Sequence, residues 1–165
     1  MTLQEIPANE IVLVDANIIL YDQQGASLQC THFLRRCAEK EITGVVTSHI
    51  LAEVMHRLMM TEARENLWST GGNPARQLAE KPEKVKLLSR YSTIVKSIMV
   101  MGVIVEPVKT EDFHTAIHVQ QQYGLLTNDA LLIAVADRLR IEAIASSDKM
   151  FSTVSGIHVY SPDDL

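Results

Sequence analysis

Five short runs of apolar and β-branched residues recur along the chain, separated by longer stretches with apolar residues three and four positions apart. The runs lie at residues 11–14, 44–47, 103–105, 143–145 and 157–160. Short runs that are apolar on both faces are typical of buried strands in a parallel sheet. Their alternation with helical stretches predicts an α/β fold, a three-layer α/β/α sandwich around a mostly parallel central sheet.

Length and composition are those of one folded, soluble domain. The chain has 165 residues, 47% of them apolar, with 15 basic against 20 acidic side chains and a formal charge of −5. No run approaches the roughly 18 uncharged apolar residues of a membrane span, so we expect a cytoplasmic protein. Cys30 and Cys37 are about two helical turns apart, too far for a disulfide, which predicts reduced thiols.

One segment, residues 66–82, interrupts the alternation with two glycines and two prolines between strongly periodic helices. We interpret residues 1–165 as a single domain that carries a long helical-hairpin connection around residues 62–97. From Thr61 to Arg90 there are six basic and four acidic residues. This local positive charge is typical of a solvated helical hairpin, and it is also compatible with a surface that contacts a polyanion.

Two acids lie where the first two predicted strands lead into helices. Asp15 directly follows the first apolar run, and Asn17 follows two residues later. In an open parallel sheet, ligands bind at the carboxyl ends of the strands, although an Asp at such a position is also a common N-cap. Glu53 lies one turn into the helix after the second run, where Arg57, four residues on, offers an ordinary ion pair.

Two further acids take comparable places in the second half of the chain. Asp129 lies in the first turn of a helix whose next residues, ALLIAVA, are nearly all apolar, so this helix is expected to be largely buried. Asp148 follows the run at residues 143–145 and the pair Ser146 and Ser147. The helix dipole and turn formation each explain one of these acids separately. Their common placement at one edge of the sheet is more informative than any single position.

Four carboxylates at one edge repel each other and raise their pKa values unless a cation lies among them. Oxygen ligands without a Cys and His set favour Mg²⁺ or Mn²⁺ over structural Zn²⁺. A cation of this kind activates water and shields the charge that builds on a phosphate during hydrolysis. The pattern predicts phosphodiester hydrolysis, with the same residues as catalytic groups and metal ligands: Asp15, Glu53, Asp129 and Asp148.

Four segments closely resemble, in their order and separations, the four motifs of PIN-domain ribonucleases, a family that includes the VapC-type toxins. They are IVLVDANIIL, VVTSHILAEVMHRL, LLTNDALLIAVADRL and AIASSDKMF. The resemblance extends from about Ile11 to Tyr160 and implies a PIN-like fold. It also implies a metal-dependent RNA endonuclease whose acidic cluster around Mg²⁺ or Mn²⁺ matches the four acids named above.

The same resemblance implies supporting residues and partners. Asn17 and Ser147 match positions that usually carry a small polar residue supporting the cluster. Cleavage in such proteins leaves a 5′-phosphate and a 3′-hydroxyl, homodimers are common, and toxin members are silenced by an antitoxin protein that occludes the pocket. Asp137, eight residues after Asp129, points to a different part of the helix surface and is not assigned to the cluster.

Several alternatives remain open from the residues. A PIN-like fold can serve as a non-catalytic RNA-binding or protein-binding module. An aspartate-based phosphatase or a receiver domain also places an Asp after the first strand, although the dehalogenase-like phosphatases need a second Asp where this chain has Asn17. Glu53 and His56 have the Glu-x-x-His spacing of carboxylate-bridged iron sites, but such sites need a second copy of the motif, which this sequence lacks.

Overall fold

The computed structural model of the protein describes residues 1–69 and 71–165; Thr70, part of the predicted connection at residues 66–82, lies outside the described residues. The strands pair in parallel in the order β3-β2-β1-β4-β5. Their bounds, each within one residue of the predicted run, are β1 Ile11–Val14, β2 Thr43–Thr47, β3 Ile104–Glu106, β4 Ala143–Ala145 and β5 His158–Tyr160. The predicted parallel sheet is confirmed.

Helices connect the strands and form the outer layers of the predicted three-layer α/β/α sandwich. Their bounds are α1 Ala16–Gln23, α2 Leu28–Ala38, α3 Ser48–Glu65, α4 Pro74–Ala79, α5 Pro82–Val85, α6 Arg90–Val100, α7 Thr110–Tyr123 and α8 Thr127–Leu139, with 3₁₀-helices at Leu3–Glu5 and Lys149–Thr153. Residues 130–136 of α8 are all buried, as their apolar sequence predicted. Across the described part of the chain, none of the helices combines the length and the apolar character needed to span a membrane.

The third strand differs from the sequence prediction in its burial. Ile104 and Val105 are 51% and 38% exposed, whereas the apolar run predicted a buried strand. The reason is the strand order, because β3 lies at one edge of the sheet and pairs only with β2. The apolar run therefore predicted the strand correctly and its burial wrongly.

The connection between α3 and α6 is a packed helical hairpin. Ala63, Leu78 and Leu88 form a small buried cluster against which Trp68 packs. The buried carboxylate of Glu62 accepts hydrogen bonds of 2.9 to 3.1 Å from the backbone N–H groups of residues 89–91. This carboxylate satisfies free donors at the start of α6, so the connection is fixed to α3 at both ends.

Several basic side chains of this connection are engaged locally. Arg76 pairs with Glu80 and Arg90 with Glu65. Lys81 donates to the carbonyl of Trp68, and Lys84 lies 5.1 Å from the Trp68 ring centroid. These contacts favour a solvated hairpin over a polyanion-binding surface, and they indicate that Trp68 anchors the connection.

Gly44 gives a stability prediction for the packing of α2 on β2. A Cβ at this position would lie 2.9 Å from Sγ of Cys37 and 3.2 Å from Cγ1 of Val103. We expect Gly44→Ala to lower the free energy of unfolding by about 1–3 kcal/mol, the usual cost of overpacking a core, as measured by urea denaturation. Both Cys30 and Cys37 are buried, free thiols, so no disulfide complicates the measurement.

A Cys37→Ala background provides the control for this packing contact. Removing Sγ of Cys37 removes the atom closest to the added methyl group, so Gly44→Ala should cost less in that background. An equally large effect in both backgrounds would contradict the steric explanation.

Candidate active site

Asp15 leaves the end of β1 and is held by three donors. Its Oδ1 accepts a 2.6 Å hydrogen bond from the Ala16 N–H, as expected for the N-cap of α1. Its Oδ2 accepts hydrogen bonds of 2.6 Å from Nδ2 of Asn17 and from Oγ of Ser146. Asp15 is only 8% exposed, so this buried carboxylate has a fixed orientation.

The polar neighbours of Asp15 agree only partly with the sequence assignment. Asn17 binds Asp15 directly, and its Oδ1 accepts the Ser147 N–H at 3.2 Å. The Ser147 hydroxyl instead lies 3.5 Å from the Tyr21 hydroxyl. Ser146 is the serine that binds Asp15, and its Oγ also accepts the Asp148 N–H at 3.0 Å. In the sequence, the pair Ser146 and Ser147 indicated a polar end of the fourth strand. It did not indicate which of the two hydroxyl groups contacts Asp15.

Glu53 lies one turn into α3 and contacts the side chains of Arg57 and Asn128. Its Oε1 is 3.4 Å from an Arg57 nitrogen, the ion pair expected from the sequence. Its Oε2 accepts a 2.7 Å hydrogen bond from Nδ2 of Asn128. The second contact joins α3 to the first turn of α8, where Asp129 directly follows Asn128.

Asp129 and Asp148 complete the group. Asp148 caps the 3₁₀-helix at Lys149–Thr153, with Oδ1 accepting the Met150 N–H at 2.8 Å. Asp129 is half-buried, and within residues 1–69 and 71–165 its carboxylate accepts no hydrogen bond. Asp129 has therefore lost part of its water contact without gaining a hydrogen-bond donor from the described residues.

The four carboxylates act on one another electrostatically. Burial, followed by the charges of Asp15, Asp148 and Glu53, raises the pKa of Asp129 to about 6. Burial also raises the pKa of Asp15 against the opposing hydrogen bonds from Ser146 and Ala16, and the charges of Glu53 and Asp148 add to the increase. The structure thus gathers all four acids at one edge of the sheet, and we call them the carboxylate cluster.

The donor set of the carboxylate cluster fits a hard divalent cation in its chemistry. It offers carboxylate oxygens in a partly buried, negatively charged site, which suits Mg²⁺ or Mn²⁺. In the described part of the chain, however, no group of three or more His, Cys, Asp or Glu side chains is already arranged to hold a metal ion. Carboxylate oxygens that accept hydrogen bonds keep further lone pairs, so Asp15 and Glu53 can retain these partners while a cation draws the acids together.

His49 is a polar residue of this edge whose role sequence reasoning missed. Nε2 of its ring lies 3.0 Å from the Asn128 carbonyl oxygen, and Nδ1 lies 2.9 Å from Oγ1 of Thr47. Burial lowers the pKa of His49 despite the hydrogen bond to Asn128. Both ring nitrogens are engaged and His56 is exposed, so the iron-site interpretation of Glu53 and His56 gains no support.

Asp137 lies apart from the carboxylate cluster, as expected. Its side chain is exposed and lines a groove with Tyr123 of α7 and with Val154. It does not contribute to the raised pKa of Asp129. Asp137 therefore offers a matched control for substitutions of Asp129 on the same helix.

The raised pKa of Asp129 predicts a characteristic pH dependence of stability in the metal-free protein. An unfolded Asp titrates near pH 3.9, and folded Asp129 titrates at about 6. Between these values the native state binds more protons than the unfolded state, so stability falls as the pH rises. We expect Asp129→Asn to raise the melting temperature of the EDTA-treated protein near neutral pH and to have little effect below about pH 4. A variant that melts below the parent protein at neutral pH would contradict this assignment.

Residues 12–157 match the PIN domain family. The chain belongs to the PIN domain family. This membership argues against the phosphatase and receiver interpretations. A sequence search among curated proteins finds no significant match.

Solved structures share this fold at low sequence identity. The VapC20 toxin of Mycobacterium tuberculosis, described as cleaving the sarcin-ricin loop, is 17% identical with a TM-score of 0.59, covering 87% of this chain and 95% of the toxin. VapBC2 of Rickettsia felis, bound to a DNA fragment from its promoter, is 14% identical with a TM-score of 0.59, covering 93% and 99%. A toxin-antitoxin complex from Klebsiella pneumoniae is 14% identical with a TM-score of 0.54, covering 89% and 95%. These likenesses establish a common fold.

Proposed function

We propose that this protein is a divalent-cation-dependent endoribonuclease that hydrolyses RNA phosphodiester bonds at the carboxylate cluster. The observation that carries the proposal is the gathering of four acids at the carboxyl ends of the parallel strands, with Asp129 half-buried and its carboxylate without a hydrogen bond in the described chain. Such a cluster is unfavourable by itself and becomes favourable with a bound cation. Membership of the PIN domain family supports the same chemistry.

The residues of the site divide into proposed metal ligands and residues that orient one of those ligands. Asp15, Glu53, Asp129 and Asp148 would hold Mg²⁺ or Mn²⁺. When bound, the cation supplies an activated water and neutralises charge on the phosphate. Asn17 and Ser146 hold the Asp15 carboxylate in place through two 2.6 Å hydrogen bonds. The Ser147 N–H donates to the Asn17 side chain. This contact helps to keep Asn17 oriented toward Asp15.

The proposal extends to partners and location. RNA is the substrate, and an antitoxin protein that covers the carboxylate cluster is the proposed regulator. This part is supported by the toxin-antitoxin complexes of Klebsiella pneumoniae and Rickettsia felis that share the fold. We also propose that the protein is cytoplasmic. We further propose that it forms a homodimer, which the mass of the purified protein in solution tests.

A metal-dependence assay on a mixed pool of structured and unstructured RNAs tests the activity. We expect cleavage with Mn²⁺ or Mg²⁺ and none with EDTA, because the carboxylate cluster needs a cation to accept an anionic backbone. Sequencing of the fragments maps the cut sites, which should carry 5′-phosphate and 3′-hydroxyl ends. An RNA pool left intact with every divalent ion would overturn the proposal and favour the non-catalytic binding module.

A further inference from the structure

Two hydrogen bonds join the N-terminal part of α3 to the first turn of α8 beside the carboxylate cluster. Nε2 of the His49 ring is hydrogen-bonded to the Asn128 carbonyl oxygen at 3.0 Å. Nδ2 of Asn128 donates to Oε2 of Glu53 at 2.7 Å. The bonded residues are 79 and 75 positions apart in the chain. Asn128 therefore binds His49 through its backbone carbonyl and binds Glu53, an acid of the cluster, through its side chain.

The partners of His49 determine which ring nitrogen carries the proton. A carbonyl oxygen only accepts hydrogen bonds, so Nε2 must donate to Asn128. In the neutral ring, Nδ1 is then an acceptor, and the Thr47 hydroxyl donates to it across 2.9 Å. Both ring nitrogens therefore have hydrogen-bond partners in neighbouring elements, which gives His49 an orienting role.

The Thr47 side chain supports this interpretation because it does not make the hydrogen bond that is usual for an N-cap residue. It is the N-cap of the 18-residue helix α3, yet its side chain makes no capping hydrogen bond. A Thr at an N-cap normally accepts from a free backbone N–H of the first turn. Here the fully buried hydroxyl binds the ring of His49, so a local stabilising contact is replaced by one that fixes the histidine.

We propose that His49 and Asn128 are positioning residues that hold the Glu53 carboxylate and the first turn of α8, with Asp129, in register with the rest of the carboxylate cluster. The proposal rests on the proposed nuclease function. Without Asn128, the side-chain partner that Glu53 keeps among the described residues is Arg57, whose side chain is 57% exposed. Glu53 would then turn toward solvent and away from the cluster.

Kinetics of four single variants provide the first test. We expect His49→Ala and Asn128→Ala each to lower kcat for RNA cleavage about tenfold or more, with KM for RNA changed less than about twofold, because outer partners of metal ligands affect activity by about 10–100-fold. His56→Ala, an exposed histidine on the same helix, should behave as the parent protein. His49→Gln should recover part of the loss, since its amide N–H can donate to the Asn128 carbonyl.

Mn²⁺ affinity of the RNA-free protein, measured by calorimetry, provides a second test that does not depend on activity. We expect Asn128→Ala to weaken binding about tenfold in the parent protein. In a Glu53→Gln background the same substitution should change the affinity little, because the effect acts through Glu53. Asn128 is exposed, so its variant should fold even if the His49 variants do not.

The outcomes separate this inference from the proposed function. A parent protein that neither binds Mn²⁺ nor cleaves RNA overturns the nuclease proposal and this inference with it. A parent protein that does both, while His49→Ala and Asn128→Ala match His56→Ala, overturns the positioning role alone. An equal effect of Asn128→Ala with and without Glu53 also overturns it.

Discussion

The Asp129→Asn variant is expected to cleave RNA at least about 100-fold more slowly than the parent protein, since even outer partners of metal ligands are worth about 10–100-fold. The substitution keeps the size of the side chain and removes the charge that a cation needs. Asp129 accepts no hydrogen bond within the described residues, so the substitution removes no hydrogen bond from the fold. Initial rates with Mn²⁺ on one defined RNA provide the measurement.

The control for this variant is Asp137→Asn. Asp137 lies on the same helix, is exposed and faces a different groove, so its substitution changes the net charge equally without touching the carboxylate cluster. We expect cleavage by Asp137→Asn to equal that of the parent protein. Equal rates for the two variants would contradict the role of Asp129.

The Arg138→Met variant is expected to lose about 3–5 kcal/mol of unfolding free energy, the typical cost of removing one partner from a buried ion pair. Arg138 donates at 2.7 and 3.0 Å to the two oxygens of Asp112, which is 1% exposed, and at 2.7 Å to Glu106. These contacts tie α8 to α7 and β3. Burial tends to raise the pKa of Asp112, but the hydrogen bonds from Arg138 and Lys109 outweigh it and lower the pKa.

Urea denaturation near neutral pH measures this loss, because Asp112 is ionised there and left without its main partner in the variant. The control is Arg76→Met, which removes the exposed pair of Arg76 and Glu80 and should cost less than about 1 kcal/mol. The lowered pKa of Asp112 also means that its stabilising effect is present above pH 4 or so and is lost as the pH falls. A loss for Arg138→Met as small as that for Arg76→Met would contradict the structural role of the pair.

The sequence allowed the strands and the acids to be predicted because both depend on local patterns. Short apolar runs mark strands wherever they lie in the sheet, and an acid directly after such a run lies at the carboxyl edge of a parallel sheet. This reasoning predicted that Asp15, Glu53, Asp129 and Asp148 lie at one edge, and in the structure the charges of the other three contribute to the raised pKa of Asp129. It could not place β3 at the outside of the sheet, because strand order depends on contacts between distant segments.

The contacts around the acids were beyond prediction for a related reason. Ser146 and Ser147 differ only in the direction of their side chains at the end of a three-residue strand, and composition does not specify that direction. The bonds of Asn128 to His49 and to Glu53 join helices more than 70 residues apart, and no spacing in the sequence marks them. Sequence therefore predicted the ionisable groups, while tertiary packing determined what orients them.

A crystal structure of the protein grown with Mn²⁺, with anomalous diffraction recorded at an energy where manganese scatters strongly, tests the carboxylate cluster most directly. We expect an anomalous peak within coordination distance of oxygens from at least two of the four acids, Asp129 among them. The same experiment on Asp129→Asn should show a weaker peak or none. Crystals of the parent protein whose anomalous peaks avoid Asp15, Glu53, Asp129 and Asp148 altogether would contradict the account.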